Sequence, residues 1–182
     1  DELISVIAEE PKIVKYLDIP IQHCNYKILR RMNRRGDGAF LRSLLKKLRE
    51  RIPGLVIRTS LIAGLPGEGE AEFMELLDFL KETRMERVGA FVFSPEEGTP
   101  AAAMEHVDSD TAAERVRIIE ELQSGIMDDY NASRMGSDME VLVDGYDEDA
   151  EQFFGRTYAD SPEIDGRVWL SSEEPLREGC FV

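Results

Sequence analysis

The sequence LVIRTSLIAGLPGEGEAEF, residues 55–73, decides the fold of this chain. β-Branched residues at Val56, Ile57, Thr59 and Ile62 indicate a buried strand. Three glycines between positions 64 and 69 follow, and acidic residues with apolar positions at helical spacing then begin a helix. A strand, a glycine turn and a helix N-terminus together let a ligand approach the backbone closely, although a plain strand-to-helix connection has the same pattern.

The composition is typical of a globular protein with room for one domain and a small module. Of 182 residues, 42% are hydrophobic and 32% are charged, and no apolar stretch is long enough to predict a membrane span. The two cysteines, Cys24 and Cys180, lie far apart, and neither has a neighbouring Cys or His pair that would complete a metal site. A disulfide framework is therefore not expected, and the cysteine usage favours the cytoplasm.

Charge is distributed unevenly along the chain, whose formal net charge is -15. Residues 27–58 contain eleven basic residues and only Asp37 and Glu50 as acidic ones. Residues 136–182 contain thirteen acidic and three basic residues, a net charge of -10. Such a segment repels nucleic acid phosphates and attracts basic surfaces, although a solvated acidic face has the same pattern.

The first 100 residues alternate between helical and strand patterns. We predict strands at residues 14–21, 56–62 and 88–93, and helices at 2–10, 25–34, 40–52 and from 70 to about 85. Asn25 is placed to cap its helix, whereas Gly36-Asp37-Gly38 is a loose start for the next one. This order predicts a parallel sheet covered by helices. Because three strands cannot close a barrel, we expect the later part of a larger α/β domain whose beginning is missing.

A different pattern follows the α/β segment. A long helix begins at one of the capping residues 108–111 and is expected to fray by Gly136. Short alternating strands then occupy residues 139–143, 152–157 and 166–170, and Phe181-Val182 begins another. We therefore divide the chain into an α/β unit, residues 1–135, and a small β-module of barrel type, residues 136–182, whose barrel is expected to be incomplete.

The ends of the three strands carry the candidate site. Ligands of α/β sheets and barrels bind at the carboxyl ends of the strands, where polar groups, glycines and apolar residues meet. The residues at or beneath these ends are Gln22 and His23, then Arg58, Thr59, Ile62 and Gly64, then Phe93 and Ser94. They suit a zwitterionic, nucleoside-like ligand, with arginine for a carboxylate, polar groups for a ribose and apolar residues for an adenine. A plain salt bridge at Arg58 and a core role for Phe93 remain alternatives.

Four stretches carry a resemblance to a known family. YLDIPIQH (16–23), RRMNRRG (30–36), RTSLIAGLPGE (58–68) and FSPEEGTPAA (93–102) resemble the second half of a radical S-adenosylmethionine (SAM) methylthiotransferase, in the same order and spacing. The final module is similar to that family's TRAM domain, a small β-barrel for substrate recognition. Within it, GRTYADSPEIDG (155–166) resembles the branch that methylthiolates an aspartate of a small-subunit ribosomal protein.

The resemblance implies a fold, a cofactor set and a reaction. The fold would be the later part of a partial TIM-type (β/α) barrel followed by the TRAM module. A [4Fe–4S] cluster would cleave SAM reductively to a radical that abstracts hydrogen from the substrate carbon, where a methylthio group would be inserted. A second cluster would supply the sulfur, and another SAM molecule would give the methyl group. SAM would contact Gln22, Arg58, Thr59, Ile62, Gly64, Phe93 and Ser94. The Cys-x-x-x-Cys-x-x-Cys loop of such enzymes does not occur in residues 1–182, so the chain resembles a fragment expected to be inactive alone.

The charge of the module predicts its partner. An acidic module suits a basic ribosomal protein and suits tRNA poorly. The alternatives are the sister branch, which methylthiolates a tRNA adenosine, and a non-enzymatic acidic adaptor that keeps the barrel half as a scaffold. No membrane partner is expected, and the exposed sheet edges predict self-association.

Overall fold

The computed structural model describes residues 1–182 as a three-stranded parallel sheet with helices, followed by a three-stranded antiparallel sheet. The helices are α1 (Glu2–Glu9), α2 (Tyr26–Arg31), α3 (Gly38–Arg51), α4 (Glu70–Thr83) and α5 (Ser109–Arg134), with a 3₁₀ helix at Pro100–Ala103. The strands are β1 (Tyr16–Asp18), β2 (Val56–Ala63), β3 (Arg87–Val92), β4 (Leu142–Asp147), β5 (Gln152–Arg156) and β6 (Val168–Leu170). No helix combines the length and the apolar character that crossing a membrane requires.

The parallel sheet has β2 at its centre, between β1 and β3. Alternate residues of β2 point to opposite faces, and Ile57 and Leu61 are fully buried in the main apolar core. Leu76 and Phe79 of α4 and Ile119 of α5 join the same core. This arrangement confirms the predicted parallel α/β sheet covered by helices.

Strand β1 is much shorter than the predicted strand at residues 14–21. Pro20 has no backbone N–H, so it cannot continue the ladder to β2. The Thr59 hydroxyl replaces the ladder at this point, since its oxygen accepts from the Ile21 amide at 3.1 Å and donates to the Ile19 carbonyl at 2.7 Å. The backbone pairs again at Gln22, which forms an isolated parallel bridge to Leu61.

Side-chain caps begin three of the helices. The Asn25 side chain accepts from the amides of Lys27 and Ile28, so the predicted cap of α2 is confirmed. The helix ends at Arg31, earlier than predicted, because the following turn takes Asn33 into the left-handed region at φ 57. The expectation of a loose start for α3 is wrong. The Asp37 side chain accepts a hydrogen bond at 2.8 Å from the amide of Phe40, the third residue of α3. Asp108 caps α5 in the same way.

The antiparallel sheet has the order β4-β5-β6. A register shift between Val143 and Gly145 interrupts the pairing of β4 with β5. The predicted extra strand at the C-terminus corresponds to a short pairing, in which the Val141 and Val182 backbones exchange hydrogen bonds at 2.8 and 3.0 Å. The division of the chain at residue 135/136 stays a prediction.

Candidate functional site

An apolar cavity of about 320 Å³ lies at the carboxyl end of the parallel sheet. Its apolar walls come from α2, the end of β2, the segment after β3 and the 3₁₀ helix, and they include Ile28, Ile62, Leu65, Phe93 and Met104. This volume falls within the range of small-molecule sites, and an apolar lining with a few polar groups is their usual character.

A polar groove of about 590 Å³ continues from this cavity. It is lined by the turn Pro66–Gly69 and by residues 104–107, and it shares Arg31, Pro66 and Met104 with the cavity. We call the cavity and this groove together the carboxyl-end groove. One end is therefore suited to a flat apolar group and the other to polar groups.

Arg31 supplies the positive charge of the carboxyl-end groove. Its Nη1 atom donates to the Pro66 carbonyl at 2.9 Å, and no carboxylate lies within ion-pair distance of it. The guanidinium lies directly on Gly67, where a Cβ atom would be 1.3 Å from Nη1. Gly67 also has φ +85, so the backbone favours glycine at this position, and a side chain there would displace the Arg31 guanidinium. The geometry leaves the guanidinium able to attract an anionic group.

Gly64 packs against helix α5. It has φ +82, and a Cβ atom there would lie 2.5 Å from the Cβ of Ala112. Its amide donates to Glu68 Oε1 at 3.1 Å, which closes the turn between β2 and α4. The glycine therefore allows both the left-handed backbone and the close approach of α5.

A buried polar cluster of His23, Glu68 and Arg115 lies beneath the turn. Arg115 Nη1 donates to Glu68 Oε1 at 2.9 Å, and burial raises the pKa of Glu68 in spite of this pairing. His23 is fully buried, and its Nδ1 accepts from the Asn25 amide at 2.9 Å. Its Nε2 lies 3.6 Å from Glu68 Oε2, and neither atom has a hydrogen-bond partner. Burial lowers the pKa of His23 to about 4, so the imidazole is neutral at pH 7.

Four of the sequence-predicted site residues lie at this end of the sheet. Ile62 and Phe93 line the apolar cavity, and Phe93 is held by its amide, which donates to the Ala63 carbonyl at 2.8 Å. Gln22 is half-buried with φ 71, and Gly64 is buried against α5. The predicted residues His23 and Gln22 are neighbours in sequence, but the buried imidazole has no open face toward the groove.

The other three predicted site residues have different surroundings. The Thr59 hydroxyl is fully buried and is occupied by the two backbone bonds that join β1 to β2. Arg58 forms an ion pair with Asp18, the last residue of β1, and it is level with Arg87, the first residue of β3, five residues before the end of β2. Ser94 is exposed just after β3. The alternative of a plain salt bridge is therefore the observed arrangement at Arg58.

The sequence interpretation missed Arg31 and Met104 as lining residues. Each reaches the groove from an element outside the sheet, Arg31 from α2 and Met104 from the segment after the 3₁₀ helix. The RRMNRRG stretch, residues 30–36, pointed to the α2 region but contains four arginines. Only the contact with Gly67 identifies Arg31 as the one that reaches the groove.

The residues of this chain do not fit an iron–sulfur cluster. Cys24 is fully buried, and burial raises its pKa to about 12, which disfavours the thiolate that binds metals. Cys180 is exposed on the β-module. No group of three or more His, Cys, Asp or Glu residues is arranged to hold a metal ion.

Comparison with protein families identifies both parts of the chain. Residues 1–80 match the radical SAM superfamily, and residues 135–182 match the TRAM domain. The solved structure of coproporphyrinogen III oxidase (HemN) from Escherichia coli, a radical SAM enzyme, has a TM-score of 0.52 to this chain at 21% identity. The match covers 62% of this chain and 27% of the oxidase chain, and it shows the fold alone.

Relatives match the chain over nearly all of its length. Ribosomal protein uS12 methylthiotransferase RimO of Desulforudis audaxviator (strain MP104C) is 46% identical over 182 residues, all of this chain and 40% of the relative. The RimO proteins of Acetivibrio thermocellus and of Anaeromyxobacter sp. (strain Fw109-5) are 45% and 49% identical over 183 and 174 residues. The chain spans about two fifths of the length of these curated relatives.

The fold and the two family matches define a segment of the radical SAM class joined to a TRAM domain. Within that class, the chain is similar to the RimO-type methylthiotransferases, of whose length it spans about two fifths. The resemblance inferred from the four stretches and from the final module is therefore confirmed.

Proposed function

We propose that this chain is part of an enzyme that methylthiolates an aspartate of ribosomal protein uS12 by radical SAM chemistry. The observation that carries the proposal is the 46% identity over all 182 residues to a protein named for that activity. The unit boundary at residue 135/136 and a cytoplasmic location are parts of the same proposal.

The carboxyl-end groove is the proposed binding site for SAM. Ile62 and Phe93 offer an apolar wall to the adenine, and the Gln22 amide lies at the same edge of the sheet for polar contact. Arg31, which no carboxylate neutralises, attracts the carboxylate of the ligand. Arg58, Thr59 and Ser94 leave the proposed contact set, because their surroundings give them other bonds or place them outside the cavity.

The cofactor chemistry belongs to the intact enzyme. In the intact enzyme, a [4Fe–4S] cluster would supply the electron that cleaves SAM, and the radical formed would remove hydrogen from the substrate carbon. This chain holds no cluster ligands, so its part in the proposal is to bind and orient SAM and to carry the TRAM module.

Calorimetric titration of the full chain with SAM tests the groove. The variant Ala101→Trp fills the apolar cavity from the 3₁₀ helix, and we expect affinity to fall by about tenfold or more, a loss of roughly 1.4 kcal/mol. The matched control is Ala103→Trp, which adds the same side chain to the same short helix at an exposed position outside the cavity. Equal affinities for the wild type and Ala101→Trp would contradict the proposed site.

The β-module is the proposed contact for the basic substrate protein. Glu148, Asp149 and Glu151 at the β4–β5 turn are exposed and form no ion pair, so they are free to meet Lys and Arg side chains. Converting these three to their amides should weaken binding of purified uS12 at physiological ionic strength. Converting Glu2, Glu9 and Glu10 of the α1 region removes the same charge elsewhere and should leave binding unchanged. Preferential binding of tRNA would favour the sister activity instead.

A further inference from the structure

The loop between β5 and β6 contacts the α/β unit through residues on both sides of its exposed tip, Pro162–Ile164. Its sequence is TYADSPEID, residues 157–165, and we call it the latch loop. Asp160 Oδ2 accepts from the amide and the hydroxyl of Thr157 at 2.9 and 2.7 Å, and the Ser161 amide donates to Asp165 Oδ2 at 2.7 Å. These internal bonds fix the direction in which the two aspartates point.

Both aspartates of the latch loop point at Arg87, the first residue of β3. Arg87 Nη2 donates to Asp160 Oδ1 at 2.8 Å, and its Nε lies 3.7 Å from Asp165 Oδ2. The side chains of Arg87, Asp160 and Asp165 are only 9%, 10% and 8% exposed. The Tyr16 hydroxyl, from the first residue of β1, donates to Asp165 Oδ2 at 2.9 Å. The carboxylates of the loop are therefore occupied by two strands of the parallel sheet.

Tyr158 forms a second contact between the two units. Its hydroxyl donates to the Gly54 carbonyl, just before β2, at 2.9 Å. The Arg134 guanidinium at the end of α5 lies 5.7 Å from the Tyr158 ring and 5.7 Å from the Tyr130 ring. Arg87 in turn lies 5.8 Å from the Tyr130 ring, which connects the two contacts.

The burial of these charges makes the contact specific to one orientation. Burying an ion pair costs desolvation, and the cost is offset only when the geometry is good and further hydrogen bonds satisfy the charged atoms. Removing one partner leaves an uncompensated buried charge, which destabilises the contact strongly. Arg87 Nε has no hydrogen-bond partner, so the contact depends on the bonds from Arg87 Nη2 and the Tyr16 hydroxyl, and a movement that separates the loop from the sheet would break both.

We propose that the latch loop fixes the orientation of the TRAM module against the amino-terminal end of the parallel sheet, with Arg87 as its positioning residue. The sequence GRTYADSPEIDG thus acts within the chain, and Asp160 and Asp165 do not contact substrate. The carboxyl-end groove lies at the other end of the same strands, so the latch leaves it open. This inference goes beyond the proposed function and does not depend on it.

Distance measurement between two spin labels tests the latch in the full chain. The exposed Cys180 labels the module, an introduced Ser43→Cys labels the exposed face of α3, and the buried Cys24 is protected. We expect one narrow distance distribution in this labelled chain. Arg87→Met should broaden that distribution at least about twofold, because the module then samples several orientations. Arg117→Met is the matched control, since Arg117 pairs only with Glu114 and Glu121 of its own helix.

A second variant keeps the test decisive if Arg87→Met loses its helices by circular dichroism. Tyr16→Phe combined with Tyr158→Phe removes two hydroxyl bonds between the units without changing the volume of the core. A broadened distribution in this variant supports the latch. If Arg87→Met folds, an unchanged distance distribution in that variant overturns the latch. If Arg87→Met does not fold, an unchanged distribution in the double tyrosine variant overturns it.

Discussion

Gly64 illustrates how a left-handed backbone and close packing together can require a glycine. Replacement by alanine would strain the backbone at φ +82 and would place the new Cβ atom against Ala112. We expect Gly64→Ala to lower the free energy of unfolding by about 3 kcal/mol, measured by urea denaturation.

The matched control for this change is Gly98→Ala. Gly98 has nearly the same dihedral angle, φ +80, but no other atom lies within 4 Å of the position that a Cβ atom would take there. We expect a loss of only about 1 kcal/mol, from backbone strain alone. Adding Ala112→Gly to Gly64→Ala should recover most of the difference, and equal losses in the two single variants would contradict the packing account.

His23 makes the stability of the chain depend on pH. Its pKa is about 4 in the folded state and 6.5 in an ordinary environment, so between these values the unfolded chain binds a proton that the folded chain does not. Stability should therefore fall as the pH is lowered from 6.5 to 4, by up to about 3 kcal/mol, and this term should level off below pH 4.

Comparison with His23→Gln isolates this contribution. The raised pKa of Glu68 acts in the opposite direction, because its folded form holds a proton at higher pH than the unfolded chain does, but it is present in both proteins. Chemical denaturation at a series of pH values should show a shallower loss for the variant between pH 6.5 and 4. Parallel curves would show that the imidazole does not stay neutral on folding.

At the scale of elements, β3 is an edge strand with apolar side chains in solvent. Phe91 is 56% exposed and Val92 is 43% exposed, and no strand pairs with the outer side of β3. Such an edge is a template for pairing with another chain, so the predicted self-association remains our expectation. Phe91→Lys should lower the apparent mass at high concentration in light scattering, because a charged edge resists pairing. The control Leu3→Lys, at a 69% exposed position on α1, should not.

The order of the elements was predictable from the sequence, but several side-chain roles were not. Apolar periodicity and the caps at Asn25 and Asp108 predict the helices, since these signals are local. The roles of Thr59 and Arg31 depend on residues about 40 positions away, such as Ile19 and Gly67. Ile62 and Phe93 could be predicted as groove residues because the ends of parallel strands meet at one edge.

At the scale of the whole molecule, the β-module contacts one end of the parallel sheet, and the carboxyl-end groove lies at the other end. The latch loop holds the first residues of β1 and β3, whereas the carboxyl-end groove begins where β2 ends. Strand β2 has eight residues, which span about 26 Å at roughly 3.3 Å per residue. The contacts of the latch loop and the carboxyl-end groove are thus separated by about the length of β2.

Amide chemical-shift mapping during titration with SAM tests the location of its site most directly. If SAM binds in the carboxyl-end groove, the amide signals of Ile62, Gly67 and Phe93 should shift together along one saturable curve. Those of Tyr146 and Cys180, on the β-module, should stay unchanged. Shifts confined to the module, or no shifts at Ile62, Gly67 and Phe93 while SAM binds, would contradict the assignment.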